Sequence, residues 1–165
     1  MTYPDTKIYK AAKKSMYVDV ASQTLQRSGV AYPVSTAAKG LGETFGSFQT
    51  PRGRFRIACK IGQGLPLKSV FIGRRWTGEI YHQDLGQRFP QRDWILSRIL
   101  WLDGCEAGKN KLGNCDTMKR YIYIHGTADE HLLGEPHSHG CIRMANQDVI
   151  VLFDQVQVGD ELIIG

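Results

Sequence analysis

Apolar and polar positions alternate with a period of two over much of this chain, the spacing of strands that bury one face. Met16–Val20 (MYVDV) alternates in this way. Thr24–Arg27 and Val30–Ser35 flank Ser28-Gly29, a dipeptide suited to a hairpin turn. Gly40 to Gly53 is glycine-rich and closes on Thr50-Pro51-Arg52-Gly53, a turn signature. Phe55–Ile61 and Ser69–Gly73 read as further strands. Arg92–Leu102 (RDWILSRILWL) is long enough for a helix, but its β-branched and aromatic content favours a strand. Arg120–His125 (RYIYIH) is the clearest strand, with tyrosines on one face and isoleucines on the other. Helical spacing occurs once. Asn146 is placed as its N-cap and Asp148 in its first turn, and Val149, Ile150, Leu152, Phe153 and Val156 form its apolar stripe. Val158-Gly159-Asp160 then turns the chain into a last strand, Glu161–Ile164. The prediction is a mainly β domain with one short C-terminal helix, spanning 16–165 after a polar lead-in of one or two helical turns.

Composition narrows the class. A chain of 165 residues with 42% hydrophobic and 22% charged residues can fold as one globular domain. The net charge is +5, but lysine and arginine are scattered in short clusters such as Lys13–Lys14 and Arg74–Arg75. No basic stripe is interleaved with aromatics, so nucleic acid is not the expected partner, and a basic face would suit a small anionic substrate. No stretch approaches the roughly 20 apolar residues of a membrane span. Residues 1–20 lack the apolar run of a secretory leader. With Met1 as the natural start the expected location is cytoplasmic; with a leader ahead of it, periplasmic. The four cysteines, Cys59, Cys105, Cys115 and Cys141, are then expected as reduced thiols.

The chemistry concentrates in residues 125–143, HGTADEHLLGEPHSHGCIR, which hold four of the five histidines and one cysteine. A thiolate, not a thiol, is the nucleophile, and an imidazole that takes its proton lowers the thiol pKa through the ion pair. His125 at a strand end and Cys141 beyond a Gly- and Pro-containing loop can be brought together across neighbouring strands. Gly140 allows a sharp turn and close approach of a carbonyl, and N–H groups around Gly140 and Cys141 would form an oxyanion hole. The second ring nitrogen of the base needs an acceptor, either the Asp129 side chain or a backbone carbonyl such as that of Gly126. His131 and His137 are expected in solvated loops and His82 at the surface. His125, His139 and Cys141 could bind zinc, but the sequence has neither HExxH nor a zinc-ligand spacing, so no metal and no cofactor are predicted.

His125-Gly126, followed thirteen positions after His125 by Ser138-His139-Gly140-Cys141-Ile142-Arg143, resembles the signature of the YkuD-type L,D-transpeptidase domain. Val18-Asp19-Val20 with Thr24-Leu25, Pro33-Val34-Ser35-Thr36 and Thr50-Pro51-Arg52-Gly53-Arg54-Phe55 resemble the family's early strands in order, and Val149–Phe153 with Val158-Gly159 its closing helix and strand. The likeness covers residues 16 to 164. It implies a β-sandwich or open barrel, Cys141 as acyl-enzyme nucleophile, His125 as base, and the Gly126 carbonyl as the group that orients it. Ser138, His139 and Gly140 would shape the oxyanion and substrate pocket, and Arg143 would pair with a substrate carboxylate. The match is loose between Arg74 and Arg120, a stretch expected to form a lid or side wall. The implied partners are peptidoglycan stem peptides or muropeptides, with no protein partner identified. Cys141 would attack the carbonyl of the third stem residue, the L-centre of a diamino acid, and release the terminal D-alanine. Water as acceptor gives an L,D-carboxypeptidase of murein recycling, the first expectation; an amine of a second stem gives an L,D-transpeptidase. A stem-binding module without chemistry is the rival from another class.

Overall fold

The computed structural model describes residues 15–165; the helical turns expected in the lead-in fall outside them. Ten strands form one sheet: β1 (Met16–Asp19), β2 (Thr24–Arg27), β3 (Val30–Ser35), β4 (Gly53–Ile61), β5 (Ser69–Ile72), β6 (Arg75–Ile80), β7 (Ile95–Gly104), β8 (Tyr123–Gly126), β9 (Ile142–Met144) and β10 (Glu161–Ile164). Their order is β4-β10-β1-β2-β3-β9-β8-β7-β5-β6, and β4 also pairs with β7. That extra pairing closes eight strands into a barrel-like ring and leaves β5 and β6 outside it as a hairpin. The mainly β, barrel-like expectation holds. Ser28 and Gly29, with φ of 49° and 79°, make the predicted β2–β3 turn, since both central positions of such a turn need positive φ.

Alternation sets the inside of the ring. Met16 and Val18, Leu25, Val34, Phe55 and Ile57, Leu100 and Leu102, Ile124, Ile142 and Met144, Leu162 and Ile164 converge in one buried cluster. The helix α2 (Asn146–Gln155) adds Val149, Leu152 and Phe153, and Val156 follows at its C-cap. Each large side chain so buried stabilises the fold by about 1.5–3 kcal/mol. β7 is buried on both faces. Its other side carries Ile99 and Trp101, which pack with Phe71 and Tyr123 in a second cluster that Cys141 borders. Two-sided burial removes the alternation, and this is why RDWILSRILWL reads ambiguously from sequence.

Several expectations are corrected. The N-cap of α2 is Ala145, without a side-chain cap bond, and Asn146 is the first helical residue, fully buried. β8 begins at Tyr123 and not at Arg120, because Tyr121 turns the chain at a φ of 55°; Ile122 and Ile124 still face the core. The hairpin partner β6 and a short helix, α1 (Gln83–Arg88), were not predicted, since neither has a clear apolar period. Exposed His82 caps α1, its Nδ1 accepting the Leu85 N–H at 3.3 Å. Among the described residues no helix is long and apolar enough to cross a membrane.

Candidate active site

β8 and β9 run parallel, with Ile124 opposite Ile142 and His125 opposite Arg143. The isoleucines point into the barrel, so His125 and Arg143 point out of the same sheet face, and Cys141 lies at the entry to β9. The two expected chemical groups thus reach one cleft of about 240 Å³, which Phe48, Asp93, Arg120, Tyr121, His139 and Arg143 also line. It adjoins a polar lobe of about 360 Å³ that shares Asp93, His139 and Arg143 and is walled by residues 90–94. Part of the loosely matching stretch is therefore the side wall.

The ring of His125 is buried, and its Nδ1 lies 2.6 Å from the Gly126 carbonyl oxygen. A carbonyl only accepts, so Nδ1 carries a proton and the neutral ring keeps its lone pair on Nε2. Of the two orienting groups considered, the structure supplies the Gly126 carbonyl. Asp129 faces Arg143 at 3.9 Å instead. Burial holds the His125 pKa below its usual 6.5, with the bond to Gly126 working against the shift.

The half-buried thiol of Cys141 donates to the Tyr121 carbonyl at 3.4 Å and accepts the Tyr123 N–H at 3.3 Å. Its sulfur sits at the cleft floor against apolar neighbours. Burial pushes the thiol up to about 12, against the Tyr123 N–H and the charges of Arg143 and Arg120, which lower it. Burial thus works against the ion pair that would lower the thiol pKa. Desolvation outweighs the nearby charges at both groups, and so favours the neutral thiol and the neutral imidazole.

The turn that carries Cys141 is braced from within. Ser138 is buried; its hydroxyl donates to the Cys141 carbonyl at 2.6 Å and accepts the Gly140 N–H at 3.2 Å. Ser138, expected to contact substrate, lines the cleft with its hydroxyl engaged in the turn. Gly140 has a φ of 132°, a left-handed-side value that favours glycine, and a side chain there would crowd Ile122 and the Gln49 carbonyl. With the Gly140 N–H held by Ser138, the Cys141 N–H is the remaining member of the expected oxyanion pair. His139 lies at the rim, edge-on to Phe48 at 6.4 Å. Arg143, largely buried, lines both lobes and approaches Asp93 at 3.8 Å. His131 is exposed, and His137 pairs with Glu135 at 3.1 Å.

Residues unnoticed in the sequence complete the site. Thr50, fully buried, accepts the Ala37 N–H and donates to the Gly140 carbonyl, each at 2.9 Å. Arg120 donates to the carbonyls of Gly42 and Gln49 and to Ser47, tying the 40s loop to the cleft. In the sequence Thr50 reads as a turn residue leading into a family-like strand, not as a brace, and Arg120 gives no signal of a role at the site. Among the described residues no group of three or more His, Cys, Asp or Glu side chains is arranged to hold a metal ion.

Fold and cleft are those of a mainly β enzyme domain with an anchored histidine on one strand and a cysteine at the entry to its parallel neighbour. The family model of the L,D-transpeptidase catalytic domain, YkuD, matches residues 10–164, and the chain belongs to that family. Among solved structures it is similar to an L,D-transpeptidase from Mycobacterium smegmatis, at 19% identity and a TM-score of 0.53 over 93% of this chain and 59% of that one. It is also similar to L,D-transpeptidase 3 from Mycobacterium tuberculosis in complex with a faropenem-derived adduct, at 17% and 0.54 over 92% and 60%. A mutant L,D-transpeptidase from Enterococcus faecium matches at 15% and 0.54, over 93% and 50%. At these identities the likeness is one of fold, and the chain spans less than two thirds of each of these solved chains. No curated protein matches the chain.

Proposed function

We propose that the chain is a cysteine acyl-enzyme peptidase acting on the peptidoglycan stem tetrapeptide. The observation that carries this reading is the pairing of Cys141, in the same cleft, with a histidine whose Nδ1 is anchored on Gly126, leaving Nε2 as the base. Family membership supports the substrate class. The stem seats its third-residue carbonyl at Cys141. The thiol turns from the Tyr121 carbonyl, His125 Nε2 takes its proton as sulfur attacks, and the Cys141 N–H receives the developing oxyanion. Arg143 and Arg120, whose charges favour the thiolate, favour that anion as well. Collapse breaks the peptide bond, and the terminal D-alanine leaves as an amine protonated by His125. Arg143 at the junction of the two lobes is positioned to hold a stem carboxylate.

Water then cleaves the thioester in our first reading, an L,D-carboxypeptidase. The two connected lobes fall in the size range of a pocket for one ligand, one stem. The second reading, an L,D-transpeptidase, draws on a separate groove of about 440 Å³ beyond Tyr121, lined by Trp101, Leu112 and Met118, where an amine-bearing stem could lie. D-alanine release from a soluble tetrapeptide, with and without such an acceptor, tests both. Release without acceptor and no cross-linked dimer establishes the hydrolase; dimer establishes the transferase. Cys141→Ala should lower release about 10⁴-fold or more while the fold persists. Release at the wild-type rate in that variant would remove Cys141 from the reaction, whereas no release from the wild type itself would leave only the stem-binding module.

A further inference from the structure

Asn146 was expected to cap α2 and does not. A capping side chain accepts N–H groups of the first turn, whereas this one is buried and turned away from its helix. Its Oδ1 accepts the Ser97 hydroxyl at 2.7 Å. Its Nδ2 donates to the Thr127 carbonyl and to Glu130 Oε1, each at 2.8 Å. Its backbone N–H also reaches Glu130 Oε1 at 2.8 Å. Ser97 lies at the β7 irregularity with a φ of 71° and accepts the Lys68 N–H at 3.0 Å. One amide thus joins the β7 bulge, the end of β8 and the start of α2, with both of its donors and an acceptor engaged.

The location matters more than the number of bonds. The carbonyl that anchors His125 belongs to Gly126, the residue before Thr127. On one side Asn146 grips the Thr127 carbonyl. On the other its Oδ1 fills the space where a Gly126 side chain would be, beside the Leu96 carbonyl. The Gly126–Thr127 peptide is therefore held from both ends. We infer that Asn146 is a positioning residue that fixes the Gly126 carbonyl, and through it the Nδ1–H tautomer and orientation of the His125 ring. Its consequence for turnover rests on the proposed role of His125 as the base; the tautomer itself does not.

The test uses the protein labelled with ¹⁵N-histidine, comparing wild type with Asn146→Ala. Nitrogen chemical shifts report the His125 tautomer, and D-alanine release reports kcat and KM. The wild type should show one Nδ1–H tautomer. The variant should populate the Nε2–H form and lose on the order of 100-fold in kcat with little change in KM, as for a misplaced base. An unchanged tautomer overturns the inference, whatever happens to the rate. A shifted tautomer with unchanged kcat upholds the inference and removes His125 from the mechanism. If Asn146→Ala fails to fold, Glu130→Ala removes an exposed partner of the same amide; a smaller tautomer shift in the same direction is expected, and none would overturn the inference.

Discussion

The floor and the side wall of the cleft put opposite physics on either side of one substrate path. On the floor, burial drives both reactive groups toward their neutral forms: the Cys141 thiol up to about 12 and the His125 ring below its usual value. On the wall, partners drive both groups toward their charged forms. Glu79 is held at about 2, chiefly by its hydrogen bond to Arg92, and Arg92 is raised in turn by Glu79. The floor is built from buried backbone and amide hydrogen bonds, the wall from a partly exposed ion pair at 2.8 Å with the Arg92 guanidinium 4.3 Å over Trp94. Changes to the floor should act on chemistry and stability together; changes to the wall should act on binding.

The widest expected contrast is in pH. If the floor is neutral at rest, alkylation of Cys141 by iodoacetamide should rise about tenfold per pH unit, roughly 100-fold from pH 7 to 9, without levelling near the 8.5 of a free thiol. Because the folded thiol pKa is raised, the neutral form persists above the free value and gives way only as pH approaches about 12. Peptide mapping by mass spectrometry measures this site by site. A plateau below pH 8 would mean a resting thiolate–imidazolium pair and would erase the distinction between floor and wall.

Thr50→Val probes the same floor without touching a reactive group. Shape is kept, but the Ala37 N–H and the Gly140 carbonyl lose their shared partner in a fully buried position. Leaving buried polar groups unpaired should cost about 1–3 kcal/mol in urea unfolding. kcat should fall with it, since Gly140 precedes Cys141. A variant as stable as the wild type would show that the nucleophile turn does not depend on this brace.

How much of this was legible in the chain follows the same division. His125 and Ser138-His139-Gly140-Cys141 carry their chemistry in residue type and spacing, and the isoleucines Ile122 and Ile124, both in the core, give His125 the opposite face. Thr50 was invisible as a brace because its partner is 90 residues away, and Arg120 because its acceptor at Gln49 is 71 away. Asn146 looked like a cap because local rules see only the helix it opens, not Ser97 on β7. The burial of the thiol was hidden for a related reason. Sequence shows charged neighbours such as Arg143, but not the burial among Phe71, Ile99 and Tyr123 that outweighs them.

Arg92→Ala should have the smallest effect, confined to binding. The pair with Glu79 is partly exposed, and such pairs add little to stability because solvent screens the charges and their side chains must be ordered. The unfolding transition should therefore barely move. Yet Arg92 and Trp94 both line the polar lobe, where a stem next to Cys141 would extend. Loss of the guanidinium removes its stacking on Trp94 and a positive charge from that lobe, so KM for the tetrapeptide should rise by roughly fivefold or less, while kcat stays near wild type. Raising ionic strength on the wild type should reproduce part of the KM effect and leave the Cys141 alkylation profile unchanged. A fall in kcat at constant KM would instead show that the wall reaches the reacting atoms, and that the two sides of the cleft act as one.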